Sequence, residues 1–143
     1  MRSISLVALV AFATFARPAD DAAKAESKKF QGTWQLVSAE SDGKKTDRQT
    51  VAKIRVVIAG NKHTVYLDGK AIAKEIAFVL DPSKKPKEVT DTLPDGKEIK
   101  GIYELDGDKL KSCVAPVGKD RPKEFSGKEG TGHTLRVFER VKP

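Results

Sequence analysis

The side chains of this chain that can do chemistry are few, and none stands at the spacing that a catalytic or metal centre requires. His63 and His133 fall in separate strand-like runs and form no H-x-x-x-H pair, so a zinc site would have to be assembled by folding. A surface or rim position is the ordinary outcome for each, and no metal or cofactor is expected. Cys113 is the only cysteine, which rules out an intrachain disulfide. It lies inside Leu110-Lys111-Ser112-Cys113-Val114, where a buried, inert thiol is expected ahead of a nucleophile. Asp91, Asp95 and Glu98 flank one turn, and a carboxylate pair can divide acid and base roles, although acids in this setting more often form the turn itself. Gly127-Lys128-Glu129-Gly130-Thr131-Gly132 lacks the Gly-Lys-Ser/Thr ending of a phosphate-binding loop and precedes a strand, so a flexible loop over a barrel mouth is expected. No nucleophile, base and orienting group recur together, so catalysis is not expected.

One pairing suits binding. Arg121-Pro122 beside Phe125 can place a guanidinium and an aromatic ring at a cavity rim, an arrangement fitted to an anionic or amphipathic ligand. In the alternative, Arg121 pairs with Glu124 or a strand carboxylate and pins its own loop.

The elements that must carry these residues are short strands. From Phe30 onward the chain is punctuated by Asp42-Gly43, Gly60-Asn61, Asp68-Gly69, Asp95-Gly96 and Asp106-Gly107, each pairing Gly with a residue tolerant of positive φ, as tight hairpins need. Between them lie Thr33 to Glu40, Ile54 to Ala59, His63 to Leu67, Lys70 to Leu80, Glu88 to Thr92, Glu98 to Leu105, Lys109 to Ala115 and Thr134 to Val141, about eight strands. Several alternate, with Trp34 and Leu36, then Ile54, Val56 and Ile58, then Ile76, Phe78 and Leu80 in one phase, and Lys and Glu in the other. Strands joined by such short turns are antiparallel neighbours, and a long meander curls to hide its edges.

The fold class expected is therefore all-β, an up-and-down antiparallel barrel with one short helix. A two-sheet sandwich is the alternative. The helix is placed at Asp47 to Lys53, capped by Thr46. The loop from Pro116 to Gly132 and the segment Asp81 to Pro86 are the less regular parts, where functional residues are best tolerated.

Composition sets the outer limits. Hydrophobic residues make up 38% and charged residues 33%, enough apolar content for one compact core. A net charge of +7 favours contact with phosphates, anionic polysaccharide or an acidic membrane surface, but the Lys residues fall on alternating strand positions, as a solvated face expects. No arginine-rich stripe with interleaved aromatics marks a nucleic-acid site, so no nucleic-acid partner is expected.

Residues 1–19 read as a secretory signal peptide. Met1-Arg2-Ser3 gives a positive start, and Ile4 to Phe15 is an apolar run too short to span a bilayer stably. Ala11-Phe12-Ala13 and Thr14-Phe15-Ala16 both satisfy the small-x-small rule, which puts cleavage near 13–19. An uncleaved anchor flanked by Arg17 is the alternative. The expected product is periplasmic or secreted, with no integral membrane segment once the signal is removed. Residues 20–29 form a polar lead-in, either linker or short helix, and 30–143 a single domain.

Gly32-Thr33-Trp34 on the first strand resembles the Gly-x-Trp opening of lipocalin and related calycin barrels. In those families the Trp plugs the closed end and the Gly lets the chain bend beside it, which implies the same structural roles for Trp34 and Gly32. Some barrels similar to lipocalins bind haem through one His near the open end, but His133 is not expected to do so. A longer likeness runs through Gln31 to Ser38, Leu80 to Lys87, Gly101 to Asp108 and Arg121 to Phe125. Together these look like an uncharacterised domain family expanded in Planctomycetes, whose members are often exported. The resemblance implies the fold and the export, and carries no catalytic residues.

The function expected from all this is binding of a small apolar or amphipathic molecule inside the barrel, with Phe78, Tyr103, Arg121 and Phe125 as ligand-contacting residues. Complete filling of the interior by Phe78, Tyr103 and Phe138 would defeat it. The alternative is an envelope protein that meets an anionic polymer through its Lys-rich surface.

Overall fold

The computed structural model describes residues 18–143. The signal-peptide reading rests on residues that lie almost entirely outside that range. Eleven elements follow in order: α1 (Pro18–Phe30), β1 (Gly32–Ser41), β2 (Lys44–Lys45), α2 (Arg48–Ala52), β3 (Ile54–Ala59), β4 (Lys62–Leu67), β5 (Lys70–Asp81), β6 (Lys87–Thr92), β7 (Glu98–Asp106), β8 (Lys109–Val114) and β9 (Thr134–Arg140). All strand pairings are antiparallel between neighbours, from β1 and β3 round to β8 and β9. β9 then pairs back onto β1, from Trp34 opposite Arg140 to Ser41 opposite Thr134, and closes the sheet. The eight long strands thus form an up-and-down barrel, not a sandwich; β2 is a two-residue extension at the edge of β1. No helix among the described residues is long and apolar enough to cross a membrane.

The expected strands fall within a residue or two of the observed ones because turn chemistry and alternation agree. Asp42-Gly43 and Asp68-Gly69 take positive φ at both residues (47° and 84°, 51° and 77°), the twist that two-residue hairpins require. Trp34, Leu36, Ile58, Phe78 and Leu80 all point into one core and are buried. Three irregularities re-aim the wall: β1 slips register against β9 between Leu36 and Ser38, and the β4–β5 ladder slips between His63 and Val65, near Glu75 at φ 49°, and again between Val65 and Tyr66.

The cap of α2 is corrected. Asp47, not Thr46, is the N-cap, because its carboxylate accepts from both the Thr50 backbone N–H (2.9 Å) and the Thr50 hydroxyl (2.7 Å). Those hydrogen bonds hold the Asp47 carboxyl below its usual pKa. α2 packs beside β1, and the Gln35 amide donates to the Val51 and Ile54 carbonyls on either side of the helix end.

The polar lead-in is a helix, α1, with Asp20 and Asp21 in its first turn and Lys28 and Lys29 in its last, the charge order its dipole favours. It shuts one end of the barrel. Glu26 is buried and meets Lys87 at 3.0 Å, while Phe30 stands edge-on to Tyr103 with ring centroids 5.0 Å apart. The carbonyls at the C-terminal end of α1 have no helical partner and are taken by side chains instead. Gln31 donates to Ser27 O, Trp34 Nε1 donates to Phe30 O at 2.8 Å, and Arg140 donates to Lys29 O and Gln31 O. The Arg140 guanidinium also lies 4.3 Å from the centre of the Trp34 ring. Gly32 sits at φ 119°, where a β-carbon would crowd Arg140 at 3.3 Å. Trp34 is thus buried at the α1 end of the barrel with Gly32 beside it.

The segment from Ala115 to His133 covers the outer face of β7 and β8, not a barrel mouth, and it is tied down. Asp42 Oδ1 accepts from the backbone N–H groups of Gly130 (2.8 Å) and Gly132 (2.9 Å), and Gly43 N–H donates to Gly127 O at 2.6 Å. Gly127 has no room for a β-carbon, which would meet Glu40 O at 2.3 Å.

Candidate functional site

The barrel interior is the site with the most chemistry. Phe30, Trp34, Leu80 and Leu110 fill much of the core, yet a partly open cavity of about 90 Å³ remains. Its apolar wall includes Val56, Val65, Phe78 and Phe138, and its polar lining is His63, Asp91, Ser112 and Arg136. Strand phase puts them there. Asp91 is two residues from Val89 on β6, His63 two from Val65 on β4, and Arg136 two from Phe138 on β9, so each charged or polar side chain shares the inward face of its apolar neighbour.

His63 Nε2 is 3.0 Å from Asp91 Oδ2, and both side chains are mostly buried. An ionised carboxylate only accepts, so the shared hydrogen belongs to Nε2. His63 Nδ1, on the other side of the ring, is buried with no partner, as is the Tyr103 hydroxyl. Burial pushes the Tyr103 phenol well above its ordinary pKa, with the Glu26 and Asp81 charges adding to the effect. Arg136 sits opposite Ser112 on β8 and Ala39 on β1. Among the described residues, its guanidinium has neither a hydrogen-bond acceptor nor an ion-pair partner at contact distance, although the charge of Asp91 acts on it across the lumen. Burial holds it below the usual arginine range, opposed by the charge of Asp91. An arginine nevertheless stays protonated, so the partly open lumen holds a half-buried cation with open donors.

The sequence-predicted contact residues separate into two groups. Phe78 and Tyr103 line the cavity. Arg121 and Phe125 do not meet over it. Arg121 lies against the outside of β6 and β7, donating to Val89 O, Gly101 O and Thr90 Oγ1 and pairing with Glu88 at 3.1 Å. That strand carboxylate and those carbonyls pin the loop, as the alternative for Arg121 had it, and they occupy the guanidinium. Phe125 packs under Lys111 Nζ, 4.5 Å from its ring centre, also outside the wall.

Of the remaining candidates, Asp91 does not pair with Asp95 or Glu98: Asp95 accepts from Lys97 N in the turn and Glu98 is exposed. His133 lies at the start of β9, away from the lumen. Cys113 is fully buried, its Sγ 3.4 Å from Ser126 O beneath the covering loop, and burial raises its pKa. Its alkylation by iodoacetamide at mildly alkaline pH is expected to run on the order of a hundredfold slower in the native protein than in denaturant. Comparable rates would mean that the loop does not cover β8.

His63, Asp91 and Arg136 escape a motif search because no short spacing links them. The available signal, a polar residue on the apolar phase of an alternating strand, is clear for His63 beside Val65 and Leu67, thin for Asp91 beside Val89, and lacking for Arg136, since Leu135 and Val137 make the opposite phase of β9 the more apolar one. A scan against protein-family models finds none that matches this chain, and a search of curated proteins finds no significant match.

Proposed function

We propose that this chain is an exported, non-enzymatic binding protein that holds a small amphipathic molecule inside its barrel, and that it shares this export with the Planctomycetes domain family it resembles. The observation that carries the reading is the unfilled lumen: a cavity of about 90 Å³ with apolar walls and polar atoms that lack partners. Binding sites combine an apolar lining with a few convergent polar groups in this way. A dry cavity of about 150 Å³ is enough to hold benzene. The smaller lumen here suits a molecule of a few heavy atoms, or the end of a longer one entering through the open side. The envelope alternative has less behind it, because exposed lysines are interspersed with acids, as in Lys97–Asp95, Lys111–Glu104 and Lys142–Asp108.

Native mass spectrometry of the protein purified from its own cells tests the proposal. A discrete low-mass adduct that disappears when Val65→Phe fills the lumen is the expected result. An unliganded mass, together with no binding across a panel of small amphiphiles, would overturn it.

A further inference from the structure

The ligand's polar end has its own signature in the lumen. Arg136 presents a planar fork of donors to the cavity with no acceptor from the described residues, whereas the other charged group there, Asp91, is already engaged by His63 at 3.0 Å. A guanidinium that faces an apolar-walled, partly open lumen without a protein acceptor is left to water or to an entering anion, and a bidentate acceptor matches its fork of donors.

Three features narrow the chemistry of that anion. Arg136 is a single cation and Asp91 supplies one negative charge to the same space, so a monoanion meets less repulsion there than a dianion such as a phosphate monoester. A carboxylate matches the guanidinium fork with two parallel hydrogen bonds and carries one charge. The walls beyond Arg136 are Val56, Val65 and Phe78, which take an alkyl group, and about 90 Å³ limits the enclosed part to a short one.

Resting on the lumen-binding reading, we infer that Arg136 is the anion receptor of the barrel and that the ligand is a small monocarboxylate, its carboxylate on Arg136 and its short alkyl part against Val56, Val65 and Phe78. His63 Nδ1 remains for a water or for a hydroxyl on the ligand.

Sodium propionate and its neutral isostere propionamide separate the two readings when titrated into the full protein by calorimetry or NMR. The expected result is propionate binding at least tenfold more tightly than propionamide, with the Arg136 Nε–Hε resonance shifting only for propionate. Arg136→Met should reduce propionate to the level of propionamide. Equal affinities in the unaltered protein, an unmoved Arg136 resonance, or a preference that survives in Arg136→Met would each overturn the anion receptor while leaving a lumen that binds propionamide intact. If neither compound binds, the anion receptor and lumen binding of ligands this size fall together. The resonance measurement uses the unaltered chain, so it decides the matter even if the variant does not fold.

Discussion

Replacing Trp34 by Ala is expected to destabilise the protein by roughly 3–5 kcal/mol. Three losses coincide at this position. The indole is only 1% exposed and fills the closed end of the barrel, so truncation leaves a cavity lined by Phe30, Leu36 and their neighbours. Its Nε1 hydrogen bond to Phe30 O is lost, and a buried carbonyl at the end of α1 goes unpaired. The platform for the Arg140 guanidinium also disappears. Urea unfolding followed by circular dichroism measures the effect, and a loss below about 1 kcal/mol would mean that this end of the barrel is not packed as described.

Arg140→Ala carries the second largest effect, about 2–4 kcal/mol by the same measurement. This side chain joins three parts of the fold: it lies over Trp34 on β1, donates to the carbonyls of Lys29 and Gln31 where α1 ends, and pairs with Asp108 at 3.0 Å in the β7–β8 turn. The Asp108 contact is half in solvent and contributes little; the carbonyls and the ring dominate. Arg140→Lys should recover less than half of the loss, because an ammonium cannot lie flat on the indole while bridging two carbonyls. Full rescue by Lys would show that charge alone matters there.

The barrel was legible in the sequence because two independent signals coincide in it. The Gly-containing turns set where strands end, and the two-residue alternation sets which side chains face inward, so eight strands and their phase follow with little freedom. Closure was predicted from the need to hide edges, and the β1–β9 pairing supplies it. The end-capping helix was half legible: residues 20–29 have helical composition, but nothing local shows that the helix end is held by Trp34 and by Arg140, more than a hundred residues away. The cap at Asp47 was misplaced by one residue, since Thr and Asp are both good caps and only the side-chain geometry separates them.

The lumen was harder. Phe78 and Tyr103 were found because large apolar residues on the inward phase must meet at a barrel axis. Arg121 and Phe125 suggested a rim because they sit in an irregular loop, yet the loop folds against the outer wall, where strand carbonyls satisfy the guanidinium. Arg136 shares the inward phase of Phe138, but Leu135 and Val137 make the opposite phase of β9 the more apolar one in the sequence, so alternation gives no warning of an inward charge there. Met at 136 is expected to leave the fold intact while removing the anion preference.

The proposed working surface is the interior of the barrel, and not its loops or its lysine-rich exterior. Xenon-pressurised crystals test it most directly, since xenon enters apolar cavities without regard to charge. A xenon atom inside the barrel in contact with Val56, Val65 and Phe78 is expected; xenon found only on the outer wall, or a lumen that admits none, would rule out the interior as a binding site.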